Sequence, residues 1–317
     1  MRQLFEMDLQ DYNEGDKVFS RRILITGGTV FVTKTIAEYY VAKGHEVYVL
    51  NRNTKEQPAG VILIESDRYD LKDKLKKYEF DLVIDNAYTS EEVELLLTAL
   101  GKFRDYILIS SSAVYPEYEK QPFTENGKLG ENKFWGKYGT DKMEAERVLL
   151  EKVPTAYILR PPYLYGPMNN VYRESFAFDC AMANRKFYLP KDGSMKLQFL
   201  LVDDMCRFID VLLENRPKQR IFNVGNKTSV TVKEWVTLCY ETAGKQPWFV
   251  NVEKEIEQRN YFSFYDYEYY LDVTEQYKLM PEITDLREGL RKAFIWYQEN
   301  SDKVNRKKYT EFIDSNL

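Results

Sequence analysis

The chain has 317 residues, 44% of them hydrophobic, and its 45 Lys and Arg against 50 Asp and Glu leave a net charge of −5. That is enough chain and apolar content for one large domain or two small ones, and too balanced a surface for wholesale disorder or for bulk attraction to nucleic acid. There is no run of eighteen apolar residues to span a membrane, and the first twenty residues, with two basic and five acidic side chains and no hydrophobic run, lack the form of a secretion signal.

From Arg22 onward, short β-branched runs alternate with amphipathic stretches, the pattern of a parallel sheet flanked by helices. The first strand, Ile23 to Thr26, runs into Gly27-Gly28-Thr29-Val30-Phe31-Val32-Thr33 and a helix to Lys43 with Ile36, Ala37, Tyr40 and Val41 on one face. A glycine turn at a strand-to-helix junction lets backbone N–H groups approach a pyrophosphate. Of the pattern G-x-x-G-x-x-G only Gly27 is present, with Val30 and Thr33 at the other places, so an ordinary tight turn is the competing reading. His45, the lone histidine, sits in the following turn, so catalysis has to run without histidine.

The second strand, Glu46 to Leu50, ends in Asn51-Arg52. With no acidic residue there to take a ribose 2′-hydroxyl, an unopposed Arg52 suits the 2′-phosphate of NADP, although arginine after a strand is also an ordinary solvated charge. Further strands are expected at Val61 to Glu65, Leu82 to Asp85, Tyr106 to Ser110, Ala156 to Arg160 and Ile221 to Val224. Helices are expected at Glu91 to Leu100, Tyr138 to Glu151, Glu174 to Ala183 and Asp203 to Glu214.

The fifth strand ends in Ser110-Ser111-Ser112-Ala113-Val114-Tyr115, and strand C-termini are where open parallel sheets hold ligands. Downstream, Tyr138 and Lys142 open a helix at i and i+4 and so face the same way. A neighbouring ammonium can bring a phenol, with its ordinary pKa of ~10, toward the working range for proton exchange with a hydroxyl.

Thr231-Val-Lys-Glu234 reads as a capping box, and another helix is expected over Asp285 to Glu299. These and the helix around Glu174 form a smaller lobe, leaving a cleft for substrate. In Tyr261-Phe-Ser-Phe-Tyr-Asp-Tyr-Glu-Tyr-Tyr270, alternating tyrosines suggest one packed face of a strand, and Arg259 just before them could contact a phosphate. The first twenty residues and the polar tail after Asn300 are expected to be loosely held. Cys180, Cys206 and Cys239 fit neither a disulfide framework nor a Cys-x-x-Cys metal pair, so the expected location is a reducing cytoplasm with no metal.

Taken in order, Thr-Gly-Gly-Thr, Asp67-Arg68, Ser-Ser-Ser-Ala-Val-Tyr, Tyr-x-x-x-Lys, Arg160-Pro-Pro-Tyr-Leu-Tyr-Gly-Pro167 and Val202-Asp203-Asp204 resemble the extended short-chain dehydrogenase/reductase family, the NAD-dependent epimerase/dehydratase group. The match covers roughly residues 21 to 300. The resemblance implies a Rossmann-type doubly wound α/β parallel sheet binding NAD(P) at 21–167, completed by about 197–226. A smaller C-terminal α/β substrate lobe would span 168–196 and 227–317, with an N-terminal extension at 1–20. It further implies Ser111, Tyr138 and Lys142 as catalytic residues, Lys142 holding the ribose and lowering the Tyr138 pKa. The cofactor would meet Gly27, Gly28, Thr29, Val30, Phe31, Asn51, Arg52, Asp67, Arg68, Asn86, Ala87, Tyr88, Ser110, Pro161 and Tyr163, and the substrate Ser112, Tyr163 and Arg259.

Departures matter as much. Leu197 stands where many nucleotide-sugar members carry the arginine that grips the substrate diphosphate, and Tyr163 and Leu164 stand where they show asparagine. Ser112 and Ala113 occupy the places of a dehydratase's Asp and Glu. The combination is similar to an atypical branch that includes chloroplast stem-loop RNA-binding proteins. The expected protein is therefore a cytoplasmic NAD(P)-dependent oxidoreductase or epimerase, leaning to NADP, acting on a sugar-like hydroxyl or keto carbon, with a homodimer implied by the family. The alternative is a non-catalytic Rossmann protein, either a cofactor-sensing regulator or an RNA binder.

Overall fold

The computed structural model describes residues 20–317, so the expected N-terminal extension lies, apart from Ser20, outside the described residues. Uninterrupted apolar runs become the central strands, because a parallel strand covered on both faces has no exposed side to make polar. These are β1 (Arg22–Thr26), β2 (Glu46–Asn51), β3 (Ile62–Glu65), β4 (Glu79–Asp85), β5 (Lys102–Ile109) and β6 (Tyr157–Arg160). Strands β4 and β5 begin earlier than their apolar runs, at a charged and exposed pair, Glu79 opposite Lys102. Hydropathy marks where a strand is buried, not where its ladder starts.

The helices between them are α1 (Phe31–Ala42), α2 (Ser90–Ala99) and α3 (Lys137–Lys152). Further along come β7 (Tyr163–Tyr165), α4 (Glu174–Met182), β8 (Phe187–Pro190), β9 (Lys196–Leu197), β10 (Phe199–Leu201), α5 (Val202–Asn215) and β11 (Ile221–Asn223). Strand β11 closes a seven-stranded parallel sheet in the order β11-β6-β5-β4-β1-β2-β3. The order reverses between β1 and β4, so the connections leaving these strands diverge to opposite faces and open a crevice at their C-terminal ends. The expected doubly wound sheet is the fold observed.

The last elements are β12 (Val230–Thr231), α6 (Val232–Thr242), β13 (Phe249–Val252), α7 (Thr274–Leu279), α8 (Leu286–Glu299) and α9 (Tyr309–Asn316). Thr231 and Glu234 form the anticipated capping box at the start of α6, and Asp285 caps α8. Helices α4, α6 and α8 enclose a second core containing Phe176, Trp235, Phe264 and Leu290. The tyrosine-rich run is packed, with Tyr267 and Tyr269 stacked at 5.1 Å, yet no strand forms there. Its rings insert between elements instead of lying along a ladder. The tail is also more ordered than expected: α9 buries Tyr309, which stacks on Tyr172 at 5.7 Å, and Ile313. Among the described residues no helix is long and apolar enough to cross a membrane.

Buried charge pins α3 to the sheet. Glu146 and Arg160 are 2% and 1% exposed and are joined through Arg160 Nη2 and Glu146 Oε2 at 2.6 Å. Ser110 Oγ donates to the same carboxylate at 2.5 Å, and Arg160 Nη1 donates to the Tyr115 hydroxyl at 2.8 Å. This network ties β5, β6 and α3 one helical turn below Lys142.

Candidate active site

Most of the expected site residues follow the ends of sheet strands, while Tyr138 and Lys142 lie on α3 and Arg259 in a turn before the tyrosine-rich run. After β1, Gly27 and Gly28 both take the left-handed backbone region, φ +89° and +86°. A side chain at Gly28 would place its Cβ 2.5 Å from Val49 Cγ1, so only glycine fits. The two altered positions are accommodated. Val30 is extended, φ −134° and ψ 131°, a conformation that needs no glycine, and Thr33 Oγ1 accepts from the Gly28 N–H at 3.0 Å beneath the turn. Helix α1 has no side-chain cap, so its first N–H groups point into the crevice without a protein partner. A glycine turn that Val30 and Thr33 leave open, facing an uncapped helix end, fits a dinucleotide pyrophosphate.

After β2, Asn51 Nδ2 donates to the Gly27 carbonyl at 2.7 Å, holding the two loops together. Arg52 is exposed but not unopposed, since the Asp67 carboxylate lies 3.9 Å away. Asp67 caps the turn after β3 through the Tyr69 N–H. Arg68 points below the crevice: its Nη2 donates to both oxygens of Asp85, at 2.7 and 2.8 Å. Asp85 also accepts from Thr26 Oγ1 and from the Tyr106 hydroxyl, at 2.7 and 2.5 Å. Arg68 is thus tied into a buried network that braces β1 and β4, not left free to meet an adenine.

After β4, Asn86 is half-buried, Ala87 is buried and Tyr88 is exposed. Lys142, 1% exposed, donates from Nζ to the carbonyl oxygens of Ala87 and Ile109 at 2.7 and 2.8 Å, and lies 4.9 Å from the Tyr88 ring centre. Burial pulls its pKa down to about 8. Tyr138, one turn earlier on α3, is 37% exposed, with its ring 6.0 Å from that of Tyr88. Loss of hydration raises the Tyr138 pKa, while the nearby Ser111 hydroxyl and the Arg173 charge act to lower it. The ammonium that pulls on this phenol is therefore not the expected Lys142, whose Nζ is turned to backbone carbonyls, and Arg173 supplies a positive charge in its place.

Ser111 Oγ accepts from the Ala113 N–H at 3.1 Å, which holds its hydroxyl at the end of β5 beside Tyr138. Ser110 faces the other way, spent on Glu146, and Ser112 is buried against Tyr269. After β6, Pro161 is buried and its carbonyl accepts from the Ser112 N–H. Tyr163 is buried, packs on Phe264 at 4.8 Å, and its hydroxyl finds no protein partner. Arg259 lies 4.9 Å from the Tyr265 ring centre and donates to the Ser263 carbonyl. Leu197 is fully buried.

Sequence reasoning passed over Trp135 and Arg173. The Trp135 ring sits 6.4 Å from Tyr138, 6.2 Å from Tyr163 and 5.1 Å from Tyr265, filling the wall between them. Arg173 is the residue before α4, with its guanidinium 4.6 Å from the Tyr163 ring centre. A cation at the positive end of a helix is unfavourable, and that misplaced charge was the available signal.

The sequence pattern of the NAD dependent epimerase/dehydratase family matches residues 87–225. The chain is 28% identical over 302 residues to the chloroplast stem-loop binding protein of 41 kDa b of Arabidopsis thaliana, covering 86% of this chain and 78% of that protein. In structure it resembles the Bordetella bronchiseptica enzyme WbmG in complex with NAD, with TM-score 0.74, 18% identity, and 92% and 98% of the two chains covered. It is also similar to the Thermotoga maritima UDP-glucose 4-epimerase with UDP-glucose, with TM-score 0.71, 19% identity, and 88% and 99% covered. Residues 87–225 therefore carry the sequence pattern of the NAD dependent epimerase/dehydratase family, and the fold across the described residues is the one these solved structures share.

Proposed function

We propose that this protein is an NAD(P)-dependent oxidoreductase or epimerase acting on a hydroxyl or keto carbon of a nucleotide-linked sugar. The observation that carries the reading is the convergence of Ser111, Tyr138 and Lys142 at the ends of β4 and β5, across the crevice from the Gly27-Gly28 turn. When bound, the nicotinamide ring supplies the hydride acceptor or donor. Gly27, Gly28 and the first turn of α1 would hold the pyrophosphate, and Asn86 to Tyr88 with Pro161 would line the nicotinamide side. Tyr138 exchanges the substrate hydroxyl proton, and Ser111 hydrogen-bonds the same oxygen and fixes its lone pairs. Lys142 anchors the Ala87 and Ile109 carbonyls beneath and presents its remaining N–H toward the ribose. Reduction and epimerisation are favoured over dehydration, since Ser112 and Ala113 offer no acid or base.

Titration with NADH and NADPH, followed by nicotinamide fluorescence, tests the cofactor site. Both should bind, and Arg52→Ala should weaken NADPH more than NADH. Asp67→Asn, which removes the competing carboxylate, should strengthen NADPH by several-fold. Binding of neither nucleotide would end the enzyme reading. Tyr138→Phe should retain nucleotide affinity and lose about 10²-fold or more in turnover. A likeness to a stem-loop binding protein across most of the chain keeps RNA binding as a second reading. A salt-resistant mobility shift with stem-loop RNA, unchanged in Tyr138→Phe, would favour it.

A further inference from the structure

Resting on the reading above, we propose that the substrate carries an anionic group, a carboxylate or phosphate, close to its reacting carbon, and that Arg173 is the residue that receives it. Three observations converge. Arg173 Nη1 donates to the Leu164 carbonyl at 3.3 Å, but its Nε is buried without any hydrogen-bond partner. Among the described residues no carboxylate lies within ion-pair distance of Arg173 or Arg259. The adjacent Glu174 is turned away, its carboxylate accepting from the Gly166 N–H at 3.1 Å and from Asn169 Nδ2 at 3.0 Å. A half-buried guanidinium with an idle donor costs stability unless something else completes it, and at the N-terminus of α4 the helix dipole adds to that cost.

The location sets what completes it. Arg173 covers the face of Tyr163, Tyr163 flanks Trp135, and Trp135 flanks Tyr138, so the guanidinium shares one wall with the proton-exchanging phenol. Its charge is felt at the Tyr138 hydroxyl. A remote diphosphate would be served by the position of Leu197, which is apolar and buried here, or by Arg259, whose guanidinium lies over the Tyr265 ring and donates to the Ser263 carbonyl. Arg173 is instead placed to read a charge on the sugar itself. An anion docked on its planar edge would engage Nε and the free Nη2 together, a two-point contact that also fixes the sugar against Tyr138.

Equilibrium binding to the full-length protein saturated with NAD tests this, using two pairs of probes. UDP-glucuronic acid and UDP-glucose differ by a carboxylate, and glucose 6-phosphate and glucose differ by a phosphate. In at least one pair the acidic member should bind ~10- to 100-fold more tightly. Arg173→Met should abolish that preference, and Arg173→Lys should restore part of it. Which pair shows the preference identifies the anion. Equal binding within both pairs, or a preference that survives in Arg173→Met, overturns the inference and leaves the nucleotide-sugar reading standing if either UDP-sugar binds. Failure of all four probes to bind the NAD-loaded protein overturns both.

Discussion

Lys142 brings an ammonium into a site where its hydrogen-bond partners are two backbone carbonyls, and burial outweighs them. Its folded pKa of about 8 lies below the ordinary 10.5, so between those values the unfolded chain holds the extra proton. Stability attributable to this residue therefore rises as pH increases through that window, and the cost of burying the charge is fully present below it. The difference in unfolding free energy between the native protein and Lys142→Met should shift in favour of the native protein by about 3 kcal/mol across the window. Denaturant titrations at neutral and alkaline pH measure it, and a pH-independent difference would show that Lys142 keeps its ordinary pKa and stays charged in the fold through that window. The Tyr-x-x-x-Lys spacing was legible in the sequence because i and i+4 share a helix face. What each side chain touches was not, because carbonyl oxygens of β4 and β5 carry no residue signature.

At the scale of elements, α3 is held by an apolar face, with Ala145, Val148 and Leu149 buried in the core, and by one buried ion pair. Its outward face is busy with Lys137–Asp141 and Arg147–Glu144 pairs, which at this exposure add little. Glu146 and Arg160 are different, being fully enclosed and linked to Ser110 and Tyr115. Glu146→Ala would leave Arg160 buried without its counter-charge and should cost about 3 to 5 kcal/mol. Because this pair seats the helix that carries Tyr138 and Lys142, activity should fall with stability, which thermal melts and turnover measured together would show. The β1 to α1 turn shows what sequence alone can misjudge. Two missing glycines suggested a damaged motif, yet neither Val30 nor Thr33 takes left-handed backbone, which falls at Gly27, Gly28 and Phe31, and Thr33 hydrogen-bonds beneath the turn.

Across the whole molecule, the sheet and the second core are two separate clusters of buried side chains. Deletion of residues 305–317 would uncover Tyr172 and Phe176, on which Tyr309 packs at 5.7 and 5.1 Å. Loss of the buried Tyr309 and Ile313 side chains should lower stability by about 3 to 5 kcal/mol. On the proposed function, the deletion should weaken substrate binding beside α4 while sparing dinucleotide binding at the β1 turn, and equal loss of both would show that the lobes fold as one unit. That tail reads as polar because only two of its turns face inward, which composition averages away.

The amino-acid sequence by itself determined the parallel sheet, the order of its strands' chemistry and the positions of Tyr138, Lys142 and the glycine turn. Those follow from local rules: apolar runs, helical spacing and backbone conformations that only glycine takes without strain. Only the tertiary structure decided which charges meet. It turned Arg68 inward to Asp85, set Asp67 beside Arg52, buried Leu197 and left Arg173 Nε without a hydrogen-bond partner on the wall that includes Tyr138. Pairing between side chains far apart in sequence depends on how separate elements pack, and no local pattern encodes that distance.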